Sequence, residues 1–367
     1  MLHLAKGSPD ILLAGNILAR RTPSRTTPSR TIPGELALIE SIRRRAGSGS
    51  RALRLGIGDD CAVLRPAARQ GICITTDFSL ENTHFRRAWH PPESVGHRCL
   101  ARGLSDLAAM GAEPLAVFLS IAVPARLPEV WLDRFLDGFL SLANQHRVPL
   151  AGGDTAQSPA ILRARDSLIL ADIVAVGQIP RNQALLRSGA QPGDLLYVTG
   201  ALGGAAAELQ ALAKSPGKFR RLTHAAPDHP HLYPEPRLAV GRRLRNLAHA
   251  MIDISDGLAT DLTHLCQESH LAAVIDEAAL PIHPLAAQSS DPLNLALHGG
   301  EDYELLFTAP ATARIPRKIG GVPIHRIGMM RKATRQQPLI AMKSNLKSNS
   351  GRHISIDPRG WEHFRQA

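Results

Sequence analysis

The sequence predicts an α/β protein made of two domains. Three observations predict it. The chain has 367 residues, more than a single hydrophobic core ordinarily serves. In both halves, short apolar runs of strand character alternate with longer stretches of helical apolar spacing. Hydrophobic residues make up 44% of the chain and aromatics only 4%, a globular composition whose cores must be filled by Ala, Leu, Ile and Val.

Taken in order, residues 1–34 carry the repeat TPSRTTPSRT and five basic side chains against one acid. Such a segment cannot bury enough surface to order itself, so a disordered basic tail is expected. It has no secretory pattern; a transit-like segment or a misassigned start are the alternatives. The first domain is expected over 35–183. ELALIESIRRRA places Leu36, Ile39 and Ile42 at helical spacing. ICITTDF reads as a strand ending at Asp77. PESVGHRCLARGLSDLAAMGA reads as a helix with Val95, Cys99, Leu104 and Leu107 on its apolar side, stopped by Gly111 and Pro114. VFLSIAVP is a strand, PEVWLDRFLDGFLSLANQH a second amphipathic helix, and VPLAGGDT a strand entering a glycine turn. SLILADIVAVGQIP is a long apolar strand region.

The second domain is expected over 184–367. SGAQPGDLLYVTGALGGAAAELQALA gives turn, strand, glycine turn and helix. NLAHAMIDISDGLATDLTHLCQES gives strand, turn and helix, and LHGGEDYELLFTAP a glycine turn entering a strand. Residues 331–352 read as an irregular loop.

The net charge of +11 is unevenly placed. Residues 309–352 hold ten Lys or Arg and no acid; without them and the tail the body is near neutral. A basic stretch can bind nucleic acid, but no aromatic residues interleave with it, so a solvated role and no nucleic-acid partner are expected. No apolar run is long enough to span a membrane. The four cysteines, at 61, 73, 99 and 266, form no C-x-x-C pair and read as buried free thiols of a reducing, cytoplasmic compartment.

Chemistry is carried by aspartates. GIGDDCAVL, TTDFSLENTHF, LSDLAAMGA, AGGDT and MIDISDGLATDL each set a carboxylate beside glycine or a hydroxyl. Such positions build a core poorly but suit a hard cation, which takes oxygen ligands and usually reaches a protein through a few carboxylates and substrate phosphates. Asp60, Asp77, Asp106, Asp154, Asp253 and Asp256 therefore point to Mg²⁺ and a polyphosphate. Bland readings compete: Thr75-Thr76-Asp77 also suits a helix N-cap, and Asp256 could cap the helix that starts at Leu258. There is no G-x-x-x-x-G-K-[ST] and no H-R-D or D-F-G set, so neither a P-loop nor a protein-kinase site is present.

In their order and spacing, GIGDDCAVL, TTDFSLENTHF, GLSDLAAMGAEPLA, AGGDT, LRSGAQPGDLLYVTG, DISDGLATDL and GGEDYELLF resemble the thiamine-monophosphate kinases of the aminoimidazole ribonucleotide synthetase superfamily. The resemblance runs from about Gly34 to the C-terminus. It implies two α/β domains of the superfamily type, the first pairing into a shared barrel in a homodimer. It implies ATP-dependent, Mg²⁺-assisted phosphorylation of thiamine phosphate to thiamine diphosphate, the last step in making that cofactor. It assigns Mg²⁺ to Asp60, Thr75, Thr76, Asp77, Asp106, Asp154, Asp253 and Asp256. ATP would contact Arg187, Ser255 and Asp154, with Arg181 near enough to compete with Arg187. Thiamine phosphate would contact His84, Glu301 and Trp361, the last by stacking or cation–π attraction. The stretch 156–170 is longer than the family's usual turn, and extra residues precede HLYPEPR.

Overall fold

The computed structural model describes residues 34–46, 52–159, 167–219, 229–344 and 353–360. All but the last residue of the expected basic tail lies outside them. The first half opens with α1 (Glu35–Ala46), which buries Leu38 and Ile42 one turn apart, and a ribbon of β1 (Leu53–Leu55) and β2 (Val63–Leu64). Then follow β3 (Gln70–Leu80), α2 (Pro92–Ala109), β4 (Glu113–Val123), α3 (Glu129–Gln145), β5 (Leu150–Gln157) and β6 (Leu170–Pro180). The long strands make one sheet in the order β3-β6-β4-β5, antiparallel except for the β4–β5 pair.

Side chains alternate across a strand, and β3 follows that rule. Cys73, Thr75, Asp77 and Ser79 point toward α2 and are at least partly buried, while Ile72, Ile74, Thr76 and Phe78 are exposed on the outer face. α2 and α3 cover the inner face. They cross so closely that a Cβ on Gly96 would lie 1.9 Å from the Phe135 carbonyl oxygen, and one on Gly138 equally near that of Glu93. Only glycine allows that approach.

The second half contains β7 (Leu195–Thr199), α4 (Gly204–Lys214), α5 (Leu238–Leu244), β8 (Ala250–Asp253), α6 (Leu258–Glu268) and β9 (Leu271–Asp276). It continues with α7 (Pro284–Ala287), α8 (Pro292–His298), β10 (Leu305–Ala309), β11 (Lys318–Ile319), β12 (Val322–Lys332), β13 (Ile340–Lys343) and β14 (His353–Ser355). Its mixed sheet runs β14-β13-β9-β12-β7-β10-β8, with β11 beside β12. α6 packs on one face through Leu258, Leu262 and Leu265, against Ile252, Ile275 and Leu306. The other face carries Tyr197, Met251 and Phe307 into the core shared with α2 and α5.

α2 is therefore the axis of the molecule. Every residue of it except Asp106 is buried, because the first sheet and α3 enclose it on one side and α5 and β8 on the other. A helix enclosed all round should be apolar all round. Instead Arg98, Arg102 and Ser105 are buried along it, at spacings of four and three that make one stripe.

Three expectations are corrected. Residues 331–352 are not one irregular loop: β12 extends to Lys332, and β13 pairs in parallel with β9. AGGDT is not a turn, since β5 continues through it to Gln157 and pairs Gly153 with Leu119 and Asp154 with Ser120. The cysteines differ among themselves: Cys99 and Cys266 are buried, Cys73 is half-buried and Cys61 is exposed. Among the described residues no helix is long and apolar enough to cross a membrane.

Candidate active site

Thr75 and Asp77 stand two residues apart on β3, so both face α2. The Thr75 hydroxyl donates a hydrogen bond to the Asp106 carboxylate on α2. One residue earlier, the Ser105 hydroxyl donates to Asp253 Oδ2 at 2.7 Å. Asp253 ends β8, so β3, α2 and β8 deliver three aspartates from both halves of the chain to one place. Asp256, three residues on, lies in the turn before α6. Its backbone N–H donates to Asp261 Oδ2 at 3.1 Å. Asp256 does not cap α6: Gly257 is the N-cap residue, without a side-chain cap bond. Asp261 instead reaches back from the first turn.

The aspartates act on one another's charge. Burial pushes the Asp77 carboxyl up to about 6, with Arg102 opposing and Asp106, Asp172 and Asp256 adding to the rise. Burial pushes Asp253 up to about 7, helped by the charges of Asp106 and Asp77 and resisted by the Ser105 hydrogen bond and Arg187. Burial also raises Asp106 and lifts Asp261 well above the carboxylate range. The charge of Arg187 draws Asp106, Asp253 and Asp261 down together. Like charges buried together are destabilised unless a cation compensates. Oxygen donors of this kind fit Mg²⁺. Among the described residues, however, no three acidic, imidazole or thiol side chains are grouped so as to hold a metal ion as they stand.

A second cluster adjoins the first. The segment GGEDYEL leaves α8 and enters β10 in an unusual conformation, with Glu301 at φ 67° and Tyr303 at φ 50°. Left-handed backbone at non-glycine residues costs roughly 1–3 kcal/mol each and persists only where surroundings enforce it. Here the Glu301 N–H bonds Ser255 O at 2.7 Å and the Tyr303 N–H bonds Ile254 O at 2.9 Å. The result sends successive carboxylates to different partners. Glu301 Oε1 accepts from Arg98 at 2.5 Å and Arg102 at 2.7 Å. Asp302 accepts from the N–H groups of Gly203 and Ala205 at the start of α4. Glu304 accepts from Thr199 and from two nitrogens of Arg237. Burial alone would raise Glu301, but Arg98, His231 and Arg102 hold it well below the carboxylate range. His231 Nδ1 lies 3.1 Å from Glu301 Oε2 without meeting hydrogen-bond geometry, and burial with the charge of Arg98 favours the neutral imidazole.

His84 sits in the turn after β3. Its Nδ1 accepts the Leu80 N–H at 2.9 Å, so the ring proton is on Nε2. Its carbonyl accepts from Arg98 Nη1 at 2.9 Å. The structure thus brings Thr75, Asp77, Asp106, Asp253, Asp256, Arg187, Ser255, His84 and Glu301 into two adjoining clusters. It does not draw in the rest by any described contact. Asp60 is exposed, with its N–H on Asp59 Oδ1. Thr76 and Asp154 point to the outer face of the first sheet, Asp154 one rung over from Ser120 and Asp172. Trp361 lies outside the described residues.

Sequence reasoning missed Arg98, Arg102, Asp261 and His231. The signal for the first two was a polar stripe on a helix that otherwise reads as apolar. The signal for Asp261 was its place four residues into a helix that follows an acidic turn.

The chain matches two family models: AIR synthase related protein, N-terminal domain, over residues 58–179, and AIR synthase related protein, C-terminal domain, over residues 191–336. The thiamine-monophosphate kinase of Escherichia coli strain K12 is 37% identical over 343 residues, covering 90% of this chain and 98% of that protein. The chain belongs to the thiamine-monophosphate kinase family. A crystal structure of thiamine-monophosphate kinase from Stenotrophomonas maltophilia K279a is 34% identical, with a TM-score of 0.70 over 88% of this chain and all of that one. A structure of AaThiL complexed with AMPPCP and TMP is 28% identical, with a TM-score of 0.67 over 90% of this chain and 97% of that one. Both halves are thus α/β domains of the AIR-synthase-related type.

Proposed function

We propose that this protein transfers the γ-phosphoryl group of ATP to thiamine phosphate, giving thiamine diphosphate and ADP. The observation that carries the proposal is the meeting of Asp77, Asp106 and Asp253 from three elements in a chain of this family. Asp77, Asp106, Asp253 and Asp256, with Asp60, Thr75, Thr76 and Asp154, are the residues assigned to Mg²⁺, which when bound neutralises phosphate charge. Arg187, Ser255 and Asp154 are assigned to ATP. His84, Glu301 and Trp361 are assigned to thiamine phosphate.

The protein's own contribution is positioning. Phosphoryl transfer needs in-line geometry and charge compensation more than covalent help. Ser105 and Thr75 fix the carboxylates of Asp253 and Asp106 by hydrogen bonds. Arg187 offers a planar fork suited to phosphate oxygens. Transfer is read as direct, without a phosphoenzyme; trapping a labelled phosphoprotein after incubation with ATP alone would overturn that step. The protein is further proposed to be a cytoplasmic homodimer in which the outer faces of two first-half sheets close a shared barrel. Ile74 and Phe78, 66% and 60% exposed there, supply the apolar surface.

The deciding experiment is a coupled assay with ATP, Mg²⁺ and thiamine phosphate, with free thiamine as control. Thiamine diphosphate forms from the phosphate ester alone. Folded protein that forms none refutes the reading.

A further inference from the structure

We propose that Arg98 is the positioning residue that sets the acceptor end of the site, by tying the His84 turn of one half to the Glu301 segment of the other. The inference rests on the reading above that His84 and Glu301 take thiamine phosphate. Its physical basis is separate. Arg98 is 3% exposed on an axis helix that both sheets enclose, so its guanidinium has little freedom. Nη1 donates to the His84 carbonyl at 2.9 Å and Nη2 to Glu301 Oε1 at 2.5 Å. The planar fork fixes the directions of both bonds at once.

Each end it joins is already set locally. The His84 N–H bonds Leu80 O at 2.8 Å while its ring accepts the Leu80 N–H, so holding the His84 carbonyl also aims the imidazole. Glu301 is held in left-handed backbone by Ser255, so holding its carboxylate fixes the rest of the side chain. Neither segment by itself determines the distance between the imidazole and the carboxylate; Arg98 bridges the two directly. Arg102 makes a parallel pair of bonds, to Phe78 O and Glu301 Oε1. Its charge also acts on Asp77, so its loss would disturb the metal end as well. Arg98 makes its hydrogen bonds to His84 and Glu301, and its charge bears on His231, His90 and His97 as well as on Glu301.

Arg98→Lys in the full chain tests this, because a lysine keeps the charge but lacks the planar fork that fixes both bond directions at once. The KM for thiamine phosphate should rise about tenfold or more, since small misplacements near a reacting group are costly. The KM for ATP should stay within about twofold. Combined with Glu301→Gln, the lysine should add little to the effect of Glu301→Gln alone, as expected of residues acting through one another. A thiamine phosphate KM that does not move, or two KM values that rise together, overturns the proposal.

Amide hydrogen exchange supplies a readout independent of the reaction and of how well the lysine variant folds. Glu301→Gln keeps the shape of the side chain and weakens its pull on Arg98. Exchange should then quicken at Thr83 and His84, in the opposite half of the chain. Unchanged exchange there removes the tether. If wild-type protein forms no thiamine diphosphate, the assigned reaction fails, and the exchange result still judges Arg98.

Discussion

At Asp253, burial and the charge of Asp106 push the carboxyl up to about 7, while the Ser105 hydroxyl favours the ionised form. The fold tolerates this group at a cost to itself. Asp253→Asn is therefore expected to lower turnover about a hundredfold or more while leaving the melting temperature unchanged or higher. A variant that loses activity only by unfolding would show Asp253 to be structural. Asp302 allows a test by pH. Burial, with Glu304 and Glu301, raises it from the usual 3.8 to about 7 against the N–H groups of Gly203 and Ala205. The folded state then holds its proton more tightly than the unfolded chain does. Its contribution to stability is fully present below about pH 4 and is lost as pH climbs to about 7. Asp302→Asn should flatten that part of the stability profile, measured by denaturant unfolding between pH 4 and 7; an unchanged slope would exclude Asp302 as its source. At this scale Asp77, Asp106 and Asp253 were legible in the sequence, because a carboxylate beside glycine or a hydroxyl serves a core badly. Thr76 was not separable from Thr75 by composition; only the alternation along β3 sends them to opposite faces.

Among the elements, α2 decides most. Its apolar residues Val95, Cys99, Leu104 and Leu107 identify a helix in the sequence, but the stripe of Arg98, Arg102 and Ser105 would ordinarily be read as the solvated side. What the sequence conceals is that a second half of the chain covers that side. β13 was missed for a related reason. LIAM is only four residues long, and the lysines and serines around it read as loop, while the parallel pairing with β9 that makes it a strand is remote in sequence. The crossing of α2 and α3 makes its own prediction. A methyl at Gly96 cannot fit against the Phe135 carbonyl, so Gly96→Ala must push the helices apart. Overpacking of this kind costs about 1–3 kcal/mol, and chemical denaturation should show at least that loss. Wild-type stability would contradict the described crossing.

For the molecule as a whole, the outer face of the first sheet is open, with Ile72, Ile74 and Phe78 along β3 and Leu170 on β6 beside them. Ile74→Glu places a charge at the centre of that surface. If two copies meet there, sedimentation should show the variant as a monomer at concentrations where the parent is a dimer; equal sedimentation would exclude this face. The sequence suggested two halves because strands and helices alternate on both sides of residue 183. It did not show how tightly they are joined: a Cβ on Gly241 of α5 would lie 2.0 Å from the carbonyl oxygen of Ala108 on α2.

That joint bears on how the protein comes to life during synthesis. The segment carrying Thr75, Asp77 and Asp106 leaves the ribosome long before β8 delivers Asp253. Until the later part is made, Arg98 and Arg102 have no carboxylate from Glu301 to meet. An unfinished chain therefore lacks Asp253 and Glu301, and the site is whole only once β8 and the segment before β10 have reached α2.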